Sequence, residues 1–585
     1  MSFQSPNAFD ALRYPYRSHL GALPNALCVS QGWQNAGEVQ RLTSTPLNLS
    51  AHTIDHNVIG SLGADFCLQQ KLLPLRRIGG GAILACADPD LAKGVARLRA
   101  LRDLSFAHAP SADITATLLA EASTELKRRA EEKRPLAASC RGLRPVSALT
   151  LCSIIFTLIA ITLLAPNLVL RSLTVLALIG LVAATALKLL GLVALTRSPP
   201  AQPRVLSTEP RLRPKITLLL PLLHEPKVAH RLVHAIEALE YPRFALEVLI
   251  LIEADDHITK AALDNVTLAR HFRVIEVPEG RLRTKPRAMN YALPFATGEI
   301  IGIYDAEDHP EADQLLKVAA GFAQAPAEVA CLQGRLDYYN ARTNILARCF
   351  ALDYAAWFRV VLPALITFDL PVPLGGTTLF LRRNIIEELG GWDAHNVTED
   401  AELGMSLYRR GYRVRLIDST TYEEANCRAL PWVKQRSRWL KGYLVTWLVM
   451  MRHPRQLFRD LGWKGFATFQ MIFAGTILNC ATMPILWAFL SGTVTGHAVL
   501  GLNLSPLGVT ALVTLLVSGQ IITMAMFFFG SLRREHAHLL PWIPILNFYF
   551  LLTVPAVYKA IWETLRAPHH WDKTEHGVYP VEPAP

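Results

Sequence analysis

What this chain lacks narrows it first. Its nine cysteines, at positions 28, 67, 86, 140, 152, 331, 349, 427 and 480, include no C-x-x-C pair and no spacing suited to a metal. They read as buried free thiols, with Cys152 and Cys480 in apolar stretches. The first residues lack the positive start and apolar core of a signal peptide, so the first translocation signal is expected to be internal. No basic run is interleaved with aromatics, which argues against nucleic acid as a partner despite a net charge of +11. Charged residues are only 18% of the chain against 51% hydrophobic, and mean hydropathy is positive. A soluble domain needs less apolar content than that, so membrane segments are expected. At 585 residues the chain should hold two or three domains.

The apolar runs fall into two groups. Ala148 to Ala165 and Leu168 to Leu195 are each long enough to cross about 30 Å of hydrocarbon. Basic residues flank the pair on both sides (Lys127 to Arg144, then Arg197 to Lys215), whereas the turn between holds only Arg171. The positive-inside rule then gives a hairpin at 148–195 with cytoplasmic flanks, beyond a charged linker at 126–147. The second group, 466–562, contains Phe466 to Leu490, Gly508 to Phe529 and the proline-broken run Leu539 to Ile561. That last run is expected to be a kinked, re-entrant or interfacial segment.

Between the groups, 212–430 reads as a cytoplasmic α/β domain. Ile216 to Leu220, Glu247 to Ile252 and Ile300 to Tyr304 are short branched strands, each followed by turn or acidic residues. Helical patterns such as Val228 to Leu239 separate them, which predicts a mainly parallel sheet with ligands at the strands' carboxyl ends. Residues 1–125 form a second soluble region. There, Leu73 to Pro89 predicts a strand, a glycine turn, a second strand and a helix start, hence a small α/β module. The charged helix Glu125 to Arg134 is read as presenting a solvated face.

Several residues could carry chemistry. Asp305, Glu307 and Asp308 follow an apolar strand and could hold a divalent cation through oxygen ligands, or could simply cap the next helix. Glu225, Asp255 and Asp256 end other strands, where a carboxylate can meet a nucleoside. Lys285 could meet a phosphate. Glu399 and Asp400 follow Thr398, a plausible N-cap, so they suit either a helix start or general-base catalysis. Gln435, Arg438 and Trp439 share one face of a helix within 431–455. Trp439 could stack on a sugar and Arg438 could fork onto phosphate oxygens, although an interfacial anchor has the same composition.

In order, Asp255/Asp256, Asp305-Ala306-Glu307, Thr398-Glu399-Asp400 and Gln435-Arg436-Ser437-Arg438-Trp439 (QxxRW) resemble the processive membrane glycosyltransferases of family 2, such as the cellulose, hyaluronan and curdlan synthases. The resemblance covers about Leu212 to Gly442 and the flanking membrane segments. It implies a GT-A-like domain inserted between α-helical membrane segments. It further implies an inverting transfer from a UDP-hexose to a growing β-linked glycan, with Mg²⁺ or Mn²⁺ as cofactor, and hence exopolysaccharide biosynthesis. In that scheme Asp400 is the catalytic base and Asp305 holds the metal with Glu307 or Asp308. Asp255 and Asp256 contact the nucleoside, with Glu225, Lys285 and Glu399 nearby. Gln435, Arg438 and Trp439 bind diphosphate and acceptor. His570 to Gly577, with Trp571 and Lys573, resembles the gating loop of such synthases in a cytoplasmic tail at 566–585. Residues 47–122 resemble the N-terminal domain of type II secretion ATPases, which implies cyclic di-GMP as a regulatory ligand. The implied location is a bacterial inner membrane, multi-pass, with the bilayer itself as a partner. Two other readings stand beside this one: transfer of a single sugar to a lipid, and a non-enzymatic receptor or secretion adaptor in which Asp400 would be dispensable.

Overall fold

The structure is a computed structural model, and it describes residues 47–49, 52–78, 81–88, 104–197, 213–227, 229–495, 505–572, 577 and 579. The chain divides into two compact units, one of residues 1–62 and 71–117, the other of 63–70 and 118–585.

In the first unit, strands β1 (Leu72–Ile78) and β2 (Gly81–Cys86) pair antiparallel. A third strand that the sequence pattern did not reveal, β3 (Leu104–His108), runs parallel to β2. Val58, Ile59, Leu73, Leu75, Leu84 and Phe106 make its core. The helix expected from Asp88 onward lies outside the described residues.

The second unit centres on an eight-stranded sheet in the order β6-β5-β4-β7-β10-β9-β11-β8. The predicted strands appear as β4 (Ile216–Leu222), β5 (Leu246–Glu253) and β7 (Ile300–Ile303), joined by β6 (Phe272–Val277) in a parallel half. Their branched residues are buried, which is why near-continuous apolar runs marked them. The other half is mixed. β10 (Leu379–Arg382) is antiparallel to both β7 and β9 (Val329–Tyr338), β9 is parallel to β11 (Arg413–Glu423), and short β8 (His309–Pro310) is antiparallel to β11. The mainly parallel sheet expected from sequence therefore holds only for the first half.

Two further expectations are corrected. The Ser123–Glu132 helix does not present a purely solvated face: Leu126 and Ala130 are buried, and Arg134 just beyond it is 4% exposed. Ile345–Thr367 is an apolar helical stretch, interrupted by a π-helical turn at Trp357–Val361, inside what reads as a polar domain. Its Phe350, Leu352, Phe358 and Leu362 are buried.

Among the described residues, five helical segments are long and apolar enough to cross a membrane: Pro166–Leu195, Ile345–Thr367, Pro454–Gly492, Leu507–Gly530 and Arg534–Arg566. The Ala148–Leu164 helix is shorter and precedes the first of them by one residue, Ala165. Pro454–Gly492 bends at Gly462, whose φ of 66° favours glycine, and passes a π-helical turn at Gln470–Gly475. Arg534–Ile545 winds as a 3₁₀ helix and holds Pro541 and Pro544, which supply no amide hydrogen to the helix. The proline-broken run Leu539 to Ile561 lies within Arg534–Arg566, which is helical throughout and long and apolar enough to cross a membrane.

Small residues set the closest helix contacts. A Cβ on Gly180 would lie 2.7 Å from the backbone nitrogen of Asn479 on the facing helix. Gly180→Val is therefore expected to lower the thermal unfolding midpoint of the detergent-solubilised protein, at a cost of about 1–3 kcal/mol for overpacking. An unchanged midpoint would contradict this contact.

Candidate active site

The carboxyl ends of β4, β5 and β7 open on one cavity of about 390 Å³. Parallel strands end there with their side chains and loops free to face a ligand. Leu222, Glu225, Glu253, Asp305 and Glu307 come from those ends, and Gly375, Gly376, Glu399, Asp400 and Glu423 also line the cavity.

Charge is concentrated in the middle. Lys285 Nζ pairs with Asp305 and donates to the carbonyl of Gly376 at 2.6 Å. Gly376 sits between two acids: a Cβ there would lie 3.2 Å from Asp400 Oδ2 and 4.0 Å from Asp305 Oδ2. Burial pushes the Asp400 carboxyl above its ordinary value, opposed by the Ala401 backbone amide and Lys285. Burial and the Asp400 charge lift Glu399 to about 8. Burial disfavours the Lys285 ammonium, yet Asp305 and Glu399 hold it protonated. Glu423 is also raised, by burial and by Asp308, Glu307 and Asp305.

The three candidate metal ligands are not equivalent. Asp305 and Glu307 line the cavity. Asp308 is turned away, fully buried, with Oδ2 accepting from the Asp305 amide at 2.7 Å and from the Thr377 hydroxyl. Its other oxygen, Oδ1, is buried without a hydrogen-bond partner. This all-oxygen donor set fits a hard divalent cation. Thr378, next to Thr377, holds φ at 55°, a costly conformation for a β-branched residue, and Gly334 leaves room for its methyl group.

At the β5 end, Glu253 pairs with buried Arg287 at 3.1 Å, and burial raises its pKa to about 7 despite that partner. Asp255 pairs with Arg283, which lines the cavity. Asp256 caps the His257–Asp264 helix, accepting from the Thr259 amide at 3.1 Å, and also holds the His224 amide at 2.6 Å. Neither Asp255 nor Asp256 lines the cavity wall.

The Ala429–Met450 helix brings Gln435, Arg438 and Trp439 to the same cavity. Arg438 lies 5.6 Å from the Trp571 ring, and its Nε is buried without a hydrogen-bond partner. Trp571 lines the cavity too, while Lys573 lies outside the described residues. Tyr354, Trp357 and Phe358 from the Ile345–Thr367 segment join Trp439 and Tyr443 in an aromatic wall leading to Leu187, Ile472 and Thr476 of the apolar helices.

Of the residues singled out in the sequence, the cavity thus gathers Glu225, Lys285, Asp305, Glu307, Glu399, Asp400, Gln435, Arg438, Trp439 and Trp571. Sequence reasoning missed Arg283, Glu423 and the Asp353 to Phe358 face. For the last, an acid and three aromatics at helical spacing were the available signal. Thr398 holds the expected N-cap position of the Glu399–Arg409 helix. It makes no side-chain cap bond; Asn396 instead accepts from the Thr398 amide at 3.1 Å. The Thr398 side chain fills the space opposite Gly442.

Residues 300–553 match the family model "Glycosyl transferase family group 2", and residues 42–121 match "MshEN domain". The chain therefore carries a family 2 glycosyltransferase domain and an MshEN domain, and its α/β fold with flanking apolar helices and a small N-terminal module agrees with both. It is 26% identical over 292 residues to a probable glycosyltransferase, YdaM, of Bacillus subtilis, covering 46% of this chain and 66% of that protein. It is 26% identical over 280 residues to a beta-monoglucosyldiacylglycerol synthase of Synechocystis sp., covering 46% and 56%. The chain thus spans between about half and two thirds of the curated relatives it matches. Among solved structures it resembles a mannosyltransferase from Pyrobaculum calidifontis in complex with GDP-Man and Mn²⁺, at 19% identity and a TM-score of 0.42, covering 66% of this chain and 99% of that one.

A side chain at position 442 would collide with Thr398 at the start of the Asp400 helix. Gly442→Ala is expected to destabilise the protein by about 1–3 kcal/mol. Thermal unfolding checks it, and an unaltered midpoint would mean that Thr398 moves freely.

Proposed function

We propose, on the premise that the chain carries a family 2 glycosyltransferase domain, that it transfers a hexosyl group from a nucleotide sugar, UDP-linked in the first instance, to a hydroxyl of a growing β-linked glycan, with inversion. The observation that carries this reading is the single cavity that joins the strand-end carboxylates to an aromatic wall among the apolar helices. Nucleotide would lie at the Glu225, Glu253 and Arg283 end, beside Asp255. The acceptor would enter from the aromatic side, where Trp439, Tyr354 and Trp357 offer flat faces for sugar rings.

In the reaction Asp400 accepts the proton of the acceptor hydroxyl as that oxygen attacks the anomeric carbon. The bond from that carbon to the diphosphate oxygen breaks on the opposite face, and the nucleoside diphosphate leaves. Burial makes Asp400 a stronger base than an exposed aspartate. Lys285 and Arg438 stand beside the same carboxylates and would balance negative charge on the departing diphosphate. Bound through Asp305 and Glu307, with Asp308 bracing the loop, Mg²⁺ or Mn²⁺ would supply further charge neutralisation there. Basic flanks on the apolar helices favour a bacterial inner membrane with this domain on the cytoplasmic side. The Trp571 tail beside Arg438 would cover the nucleotide.

Asp400→Asn is expected to lower nucleotide release in the presence of acceptor by about 10²–10⁴-fold. Removing divalent cations with a chelator should stop turnover of the parent protein, and Mn²⁺ should restore it. Retained turnover in Asp400→Asn would overturn the assignment of Asp400 as the base, whereas no nucleotide release by the parent protein would favour a non-enzymatic role.

One second reading has a specific support. The relatives named as beta-monoglucosyldiacylglycerol synthases, with apolar Leu187 and Ile472 at the inner end of the cavity, favour a single transfer to a lipid. Membranes supplied with labelled nucleotide sugar separate the two: a polymer supports the first reading, and a product extracted into organic solvent supports the second.

The MshEN match suggests cyclic di-GMP as a ligand of the N-terminal module. Calorimetry of the full-length protein should then register binding of that dinucleotide. No heat at about 100 μM, a concentration at which a micromolar site is saturated, would remove it.

A further inference from the structure

The segment joining the N-terminal module to the first apolar helix is held against the transfer domain by buried charge. Arg134 and Glu402, each 4% exposed, form an ion pair at 2.6 Å. Glu402 lies one half-turn beyond Asp400 in the Glu399–Arg409 helix. Asp393, at the start of the loop that leads to that helix, accepts from the Ser139 hydroxyl at 2.7 Å and the Cys140 amide at 2.8 Å. Glu131 accepts from the Arg281 amide at 2.9 Å and pairs with Arg287 at 3.2 Å; Arg287 in turn holds Glu253. Asn290 donates to the Ala130 carbonyl at 3.0 Å and to the Trp392 carbonyl at 2.8 Å, stitching the two sides together.

A tether needs none of this. Burying an ion pair gives little or no net stability over an apolar pair of similar volume, because desolvation offsets the attraction. What it gives is a fixed geometry, since either partner left alone would be an uncompensated buried charge. The contacts of this one segment fall on different parts of the cavity wall: the helix of Glu399 and Asp400, and the Arg281 to Lys285 loop with the β5 end.

We propose that Arg134 and Glu131 are positioning residues of the transfer site, Arg134 setting the Asp400 helix through Glu402 and Glu131 setting the nucleotide end through Arg287. The proposal rests on the reading of the cavity as the transfer site. Because the chain enters this segment from the Ser111–Glu121 helix, with only Ala122 between that helix and Ser123–Glu132, any displacement of the segment would act on both parts of the site at once.

The test uses the full-length protein in lipid nanodiscs, with nucleotide release measured against donor concentration and active protein counted by tight nucleotide binding. Arg134→Met alone risks misfolding, so the decisive variant is the double Arg134→Met/Glu402→Met, which keeps the volume buried without charge. It should keep the parental unfolding midpoint while kcat falls at least about tenfold and KM for donor stays within about threefold. Glu131→Gln should do the reverse, raising KM at least about fivefold with kcat within about threefold. Arg134→Lys should keep more of the parental rate than the double variant does. Arg128→Met, on the exposed side of the same helix, should match the parent. Parental kcat in the double variant, equal changes in both constants for both variants, or a matching loss in Arg128→Met would each overturn the proposal. Turnover surviving in Asp400→Asn would instead overturn the reading of the site on which it rests.

Discussion

The excess of carboxylate at one buried place is the constraint from which the rest of this structure follows. Asp305, Glu307, Asp308, Glu399, Asp400 and Glu423 converge there, and burial raises the pKa of Asp308, Glu399, Asp400 and Glu423. Buried like charges repel strongly and are tolerated where cations or hydrogen bonds answer them. Lys285 and Arg438 answer in part. The donor set left over is all oxygen, which suits a hard dication and a diphosphate arriving together. Much of the architecture can be understood as holding these acids in place, from the parallel strand ends to the Glu399–Arg409 helix.

That constraint also explains what the sequence made legible. Strands β4, β5 and β7 are short branched runs ending in acids, because a strand buried on both faces must be apolar until it reaches the cavity. The order from Asp305 through Asp400 to Trp439 could be seen for the same reason: the acids and the helix facing them belong to one wall. The Ile345–Thr367 segment could not be seen so easily. Its apolar residues face both the core and the cavity, so no clean amphipathic stripe marks it as cavity lining.

What the sequence did not show shares a cause. Thr398 holds the N-cap position, yet tertiary packing against Gly442 takes its side chain and leaves Asn396 to order the turn. Asp255 and Asp256 look interchangeable in sequence, but one pairs with Arg283 and the other caps a helix. The charged helix before the first apolar run looks solvated because sequence shows its charges and not which of them meet partners. Arg134 and Glu402 are 268 positions apart, and nothing local connects them. The mixed half of the sheet was hidden likewise, since strand direction is decided by pairings distant in sequence.

The central claim is that this acidic cavity binds a divalent cation together with a nucleotide sugar. The most direct test is electron paramagnetic resonance of Mn²⁺ titrated into the full-length protein, with and without UDP. The account predicts one tightly bound Mn²⁺ per chain whose spectrum changes when UDP is added, and its loss in Asp305→Asn. Tight binding that persists in Asp305→Asn, or a spectrum indifferent to UDP, would contradict it.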